Sequence, residues 1–184
     1  MTARGRLSQA EAMSGRTPQR LEPSMRTPRA GGLLLVCFLI VFAAEALGAL
    51  ASIHAAVFYA QLRQPAWAPP AWLFGPVWTV LYALMAIALW RVWRRRATGS
   101  VPIVLFLLQL AVNAAWSWLF FRWHLGPASF AWIVLLLALL VATVLAFWRV
   151  DHLAATLLLP YLAWVSFACA LSWAVWRANP ALLG

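Results

Sequence analysis

Five apolar runs, at about residues 33–53, 73–93, 102–121, 127–148 and 153–176, constrain this chain more than any other feature. Each is close to the roughly 20 residues that a helix needs to cross the hydrocarbon core of a bilayer. Lipid offers a backbone no hydrogen-bond partners, so each run must satisfy its own peptide groups as a helix. The residues are 65% hydrophobic and 10% charged. A soluble domain of this size has too little interior to hide so much apolar surface. The expected fold is an all-α membrane protein, a five transmembrane helix bundle. The first run, with arginines before it and small residues over 46–52, has some features of a signal peptide. It stays apolar past the usual length of one.

The runs divide the chain. Residues 1–30 hold Arg, Ser, Thr, Pro, Gln and Gly with few large apolar side chains, the composition of a disordered basic tail. Met13 and Met25 are alternative starts within it. Residues 31–180 form the transmembrane domain, and 181–184 a C-terminal tail. The first linker, 54–72, reads as a long loop rich in Pro and Trp, and 94–100 (RRRATGS) as a basic turn. The last two linkers are short, so the third, fourth and fifth runs are antiparallel neighbours. No internal repeat is visible, which gives an inverted-repeat transporter no support.

Charge sets the expected orientation. The net charge is +10, carried by 14 arginines with no lysine, and six of them precede residue 30. The basic balance is therefore a property of the tail, drawn to anionic lipid, and no nucleic-acid face is implied. The tail with Arg91, Arg94, Arg95, Arg96 and Arg149 falls on one side. Arg63, Arg122 and Arg177 fall on the other. The positive-inside rule then places the N-terminus in the cytoplasm and the first loop outside. Arginine without lysine suggests a high-GC bacterial genome, hence a bacterial envelope membrane.

Residues 58–82, FYAQLRQPAWAPPAWLFGPVWTVLY, set Trp67, Trp72 and Trp78 among Pro65, Pro69, Pro70 and Pro76. Proline fixes φ and cannot donate to a helix ladder, and each Trp presents a flat face with one N–H. Such a corner at the mouth of a bundle suits a flat apolar ligand. Helical spacing aligns Trp78, Tyr82, Met85 and Leu89 in the second run, and Gln109, Asn113, Trp116 and Phe120 in the third. It aligns Pro160, Trp164, Ala168 and Ser172 in the fifth. Aromatic stripes also serve as plain packing or as an interfacial belt. Gln109 and Asn113 are harder to absorb that way, because an amide in hydrocarbon needs a partner. They fit interhelix glue or ligand donors.

Glu45 is the one carboxylate within a run. It either faces a cavity or is protonated against a neighbouring helix. Asp151 and His152 fall at a short turn and read as solvated. His54 and His124 lack ligand spacing to any Cys, Asp or Glu, so no metal site is expected. Cys37 and Cys169 lie inside apolar runs and read as small buried hydrophobes. Ala44, Gly48 and Ser52, and more briefly Ala111 and Ala115, make small-residue stripes where helices can approach closely, inside the bundle or across a dimer. No nucleophile elbow, phosphate loop, zinc spacing or carboxylate pair is present, so no catalytic residue is assigned.

Taken together the motifs resemble the TspO/MBR family, the tryptophan-rich sensory proteins related to the mitochondrial translocator protein. The resemblance rests on Tyr59, Leu62, Pro65, Trp67, Pro69, Pro70, Trp72, Pro76, Trp78, Leu81 and Tyr82. It rests also on QLAVNAAWSWLFF at 109–121 and PYLAWVSFACALSWAVWRANP at 160–180. It implies a five-helix bundle, often a homodimer, that binds porphyrins such as protoporphyrin IX between the helices under the first loop. No required cofactor is implied. By motif position the ligand pocket would use Trp67, Trp72, Tyr82, Asn113, Trp116, Trp164 and Ala168, with Ala111 and Ala115 at the dimer seam.

This chain departs from the family pattern at Phe58, where Trp is usual, and at Ser172, where Asn is common. Trp173 stands where the sterol-recognition pattern of animal members has Tyr, which speaks against sterol binding. Glu45 has no family counterpart. The implied function is a membrane receptor or carrier for tetrapyrroles with a sensory or stress role. The alternatives are light- and oxygen-dependent porphyrin breakdown with Trp67 and Trp164 as electron donors, small-molecule transport, and a scaffold.

Overall fold

The computed structural model of the chain describes residues 27–95 and 99–184. The tail read over 1–26 and positions 96–98 of the basic turn lie outside them. The helices are α1 (Thr27–Ala51), α2 (Ala55–Gln61), α3 (Phe74–Trp93), α4 (Val101–Ser117), α5 (Gly126–Trp148), α6 (His152–Ala178) and α7 (Pro180–Leu183). A 3-10 turn over Ala71–Leu73 leads into α3, and a π-helical turn over Trp118–Arg122 ends α4. Among the described residues five helices, α1, α3, α4, α5 and α6, are long and apolar enough to span a membrane. The protein is an integral, multi-pass membrane protein.

The spans close into a ring. α1 packs on α3, α3 on α6, α6 on α5, α5 on α4, and α4 back on α1. α4, α5 and α6 are thus sequential neighbours, as their short linkers require. The ring encloses a core that includes Met85, Leu89, Phe106, Leu136, Leu140, Phe147, Leu158 and Tyr161. Phe106 and Phe147 stack at 5.8 Å across it.

Elements begin where the chemistry allows. Pro102 and Pro127 stand in the first turns of α4 and α5, where a missing N–H is harmless. The π turn is closed by the Trp123 N–H donating to the Trp118 carbonyl at 2.9 Å. Its extra residue per turn shifts the aromatic register, burying Phe120 while Phe121 remains half-buried.

Several features differ from the sequence expectations. The first linker is only partly a loop. AAVFYAQ has no breaker and forms α2, and the chain turns extended only as Pro65 approaches. A second apolar cluster lies beneath it, with Tyr59 and Leu62 against Phe120, Leu171 and Val175. The final residues form α7, with Leu183 fully buried. Asp151 is buried rather than solvated, with 4% of its side chain exposed. Its carboxylate accepts from Arg91 at 2.9 Å, from Arg95 at 3.0 Å, and from the Ala154 N–H at 3.0 Å. Two arginines one turn apart at the end of α3 meet the α5–α6 turn, so a carboxylate there is held as helix cap and counter-ion at once. His152 is exposed and lies 4.9 Å from the Trp148 ring.

Two glycines mark close approaches. Gly48 of α1 faces α4, where an added Cβ would lie 3.2 Å from Ser117 Oγ. The small-residue stripe of α1 is at that point an internal seam. At Gly126 an added Cβ would lie 2.6 Å from the Leu183 carbonyl oxygen and would also strike the Trp176 ring. Gly126→Ala should therefore push α7 off the bundle end. The expected loss is about 2 kcal/mol, in the range of core overpacking, read as a lower thermal midpoint. An unchanged midpoint would mean that α7 yields freely.

Candidate functional site

On the first-loop side of the ring lies a cavity of about 400 Å³ between α1, α2, α3, α4 and α6. Its aromatic wall is supplied by the helical spacing of the sequence. Trp78 and Tyr82, one turn apart on α3, stack with ring centres 5.3 Å apart. Trp164 of α6 meets Phe74 edge-on at 5.8 Å. Trp116 of α4 stacks on Phe120 at 5.2 Å, and its Nε1–H donates to the Ser129 carbonyl at 3.1 Å. These contacts fix the rings before any ligand arrives, which lowers the ordering that binding would require.

The polar groups are few and placed. Asn113 Nδ2 donates to the Tyr82 hydroxyl at 2.9 Å. Behind this pair the Tyr161 hydroxyl donates to Gln109 Oε1 at 3.1 Å, while Gln109 Nε2 is buried without a partner. The two amides of α4 thus have different work. Gln109 ties α4 to α6, and Asn113 ties α4 to α3 at the cavity wall. Glu45 also lines the cavity, together with Ser52, Thr79 and Ser117, and among the described residues no arginine or histidine does.

The loop above is tied down at several points. Tyr59 lines the cavity and donates its hydroxyl to the Pro69 carbonyl at 3.3 Å. Burial raises its phenol above the ordinary tyrosine value. The Gln64 amide donates back to the Tyr59 carbonyl. Asn179, at the end of α6, accepts from the Arg63 N–H at 2.8 Å and donates to the Arg63 carbonyl at 3.0 Å and the Val175 carbonyl at 2.8 Å.

Of the seven residues assigned to a pocket by resemblance, Tyr82, Asn113, Trp116, Trp164 and Ala168 come together around this cavity. Trp67 and Trp72 do not line it. Trp67 is 50% exposed and meets Phe167 edge-on at 5.7 Å, and Trp72 is 72% exposed. Ala111 is exposed on the outer face of α4, with Ala115 half-buried one turn on. Trp78, Tyr59 and Phe74 line the cavity and were not singled out as site residues. Their place in the dense aromatic stretch 58–82 was the available signal. Nothing in the spacing pointed to Asn179. Cys37 and Cys169 are free thiols, the first buried and the second half-buried. Among the described residues no three His, Cys, Asp or Glu side chains gather as a metal site.

Comparison with known proteins agrees with this architecture. The TspO/MBR family model matches residues 34–177. The chain is 44% identical over 127 residues to tryptophan-rich protein TspO of Chlorobaculum tepidum, covering 67% of this chain and 80% of that protein. It is 40% identical over 130 residues to the human translocator protein, covering 66% and 75%. To protein CrtK of Rhodobacter capsulatus it is 37% identical over 151 residues, covering 80% and 93%. With five apolar spans, an aromatic cavity under the first loop and a match running from α1 to the end of α6, the chain belongs to the TspO/MBR family.

Proposed function

We propose that this protein is a membrane receptor or carrier for porphyrins, with protoporphyrin IX as the representative ligand and a sensory or stress role. The observation that carries the reading is the preformed cavity walled by Trp78, Tyr82, Trp116 and Trp164. Its volume of about 400 Å³ falls in the range of small-molecule sites. A tetrapyrrole offers a wide π-face to such walls. Its carboxylates would stay at the mouth, near the exposed Arg63. The first loop then acts as a lid with open and closed states of different ligand affinity. Ala111 and Ala115 of α4, the first exposed and the second half-buried, are the proposed homodimer seam. The orientation follows the arginine asymmetry, with the N-terminus cytoplasmic in a bacterial envelope membrane.

The test is a titration of detergent-purified protein with protoporphyrin IX in the dark, following Trp quenching and the porphyrin absorbance band. Saturable binding near micromolar is expected. Asn113→Ala unties the Tyr82 hydroxyl and Trp164→Phe shrinks the wall, so each should weaken binding about tenfold, the equivalent of roughly 1.4 kcal/mol. Signals that never saturate, or that ignore both substitutions, would show porphyrin dissolving in the micelle and would end this reading. Repeating the titration in light and oxygen separates binding from breakdown.

A further inference from the structure

Glu45 is a carboxylate in the wall of an otherwise aromatic and apolar cavity. It sits on α1 one turn before Gly48 and lines the same space as Trp78, Tyr82 and Asn113. Among the described residues the only other acidic side chain is Asp151, at the opposite end of the bundle, already paired with Arg91 and Arg95. Among the described residues no arginine or histidine lines the cavity, and none forms an ion pair with Glu45. The Asn113 amide, a neutral donor in the same wall, donates to the Tyr82 hydroxyl. A carboxyl group drawn partly out of water needs either a hydrogen-bond donor or a counter-charge. The cavity walls supply no counter-charge, so a ligand that brings one gains a charge-assisted hydrogen bond. A ligand carboxylate placed there would meet a like charge and lose its own hydration.

From this geometry we infer that Glu45 sets the chemical class of the ligand. The cavity selects flat aromatic molecules that present a cationic or N–H nitrogen to α1, and it turns carboxylates away toward the loop. The inference rests on the porphyrin reading only for the location of the site. A tetrapyrrole fits it with its pyrrole N–H groups toward Glu45 and its carboxylates at the mouth. Other aromatic amines fit equally well.

The experiment compares two probes of one ring size, 1-pyrenemethylamine and 1-pyrenecarboxylate, by Trp quenching in a non-ionic detergent. The net charge of +10 favours the carboxylate on general electrostatic grounds, so any preference for the amine reports local chemistry. The wild-type protein should bind the amine about tenfold more tightly. Glu45→Gln keeps the size and hydrogen bonding of the side chain and should bring the two probes to near-equal affinity. Glu45→Asp keeps the charge and should keep the order. Equal or carboxylate-favouring binding in the wild type would overturn the inference. So would a preference that survives Glu45→Gln, or a failure of both probes to saturate. A protoporphyrin IX titration on the same samples separates the two ideas. An amine preference without porphyrin binding removes the porphyrin and leaves the role of Glu45 standing.

Discussion

Asp151→Ala should lower the thermal midpoint of the purified protein by about 10 °C. The substitution removes a carboxylate that is nearly fully buried and accepts from Arg91, Arg95 and the Ala154 N–H. Breaking a buried ion pair by deleting one partner costs about 3–5 kcal/mol. Arg91 is 29% and Arg95 56% exposed, and water takes up part of that loss, so the low end, about 3 kcal/mol, is expected here. For a domain of this size each kcal/mol shifts the midpoint by about 2–4 °C.

The effect carries a pH signature. Burial alone would raise the Asp151 carboxyl. The Ala154 N–H and the two guanidinium groups outweigh it and hold the carboxyl below the ordinary carboxylate value. A group depressed in the folded state stabilises the fold above its unfolded value, about 3.9, and loses that contribution as pH falls through the folded value. Wild type and Asp151→Ala should therefore differ fully near neutral pH and converge as the pH falls below about 4. Melts followed by Trp fluorescence across that range decide it. A difference that persists undiminished in acid would show that the charge is not what Asp151 contributes.

The sequence made the spans and the aromatic surface legible for one physical reason. Lipid removes the alternatives to a helix, so hydropathy alone fixes α1, α3, α4, α5 and α6 to within a few residues. Helical spacing then put Tyr82 with Trp78 on one face and Asn113 with Trp116 on another, and those faces meet at the cavity. What it did not reveal are pairings between distant segments. Asp151 looked solvated because a turn residue ordinarily is, and nothing local shows that Arg91 and Arg95, some sixty positions earlier, end beside it. Trp67 and Trp72 match the family motif, yet their side chains lie outside the cavity, because the prolines around them set a path that spacing cannot resolve. Glu45 gave two readings from sequence. Its place in the cavity wall is settled by how α1 packs on α3 and α4.

Asn179→Ala should release the first loop. Asn179 is buried and joins Arg63, more than a hundred positions away in sequence, to the end of α6 through two hydrogen bonds of 2.8 and 3.0 Å, and its amide makes a third, of 2.8 Å, to the Val175 carbonyl of its own helix. One amide thus satisfies both backbone groups of Arg63 and the Val175 carbonyl, as a strand partner and a helix cap would together. Alanine deletes all three bonds. At about 1 kcal/mol for each net hydrogen bond, losing the two that hold Arg63 should make the loop's local opening easier by about 2 kcal/mol, roughly thirtyfold in the open population.

The Arg63 side chain is exposed, so trypsin can report that population by cutting after Arg63. Cleavage under conditions where the loop recloses faster than it is cut tracks the open fraction. The expected result is much faster cleavage at Arg63 in Asn179→Ala than in the wild type, with a smaller change at Arg177, which lies in the last turn of α6. Asn179→Asp keeps the acceptor for the Arg63 N–H but turns an oxygen toward the Arg63 and Val175 carbonyls, so it should resemble alanine rather than the wild type. If the loop is the lid, bound porphyrin should also leave faster from both variants while the aromatic walls stay intact. Equal cleavage in all three proteins would show that Tyr59 and the proline turns hold the loop without Asn179.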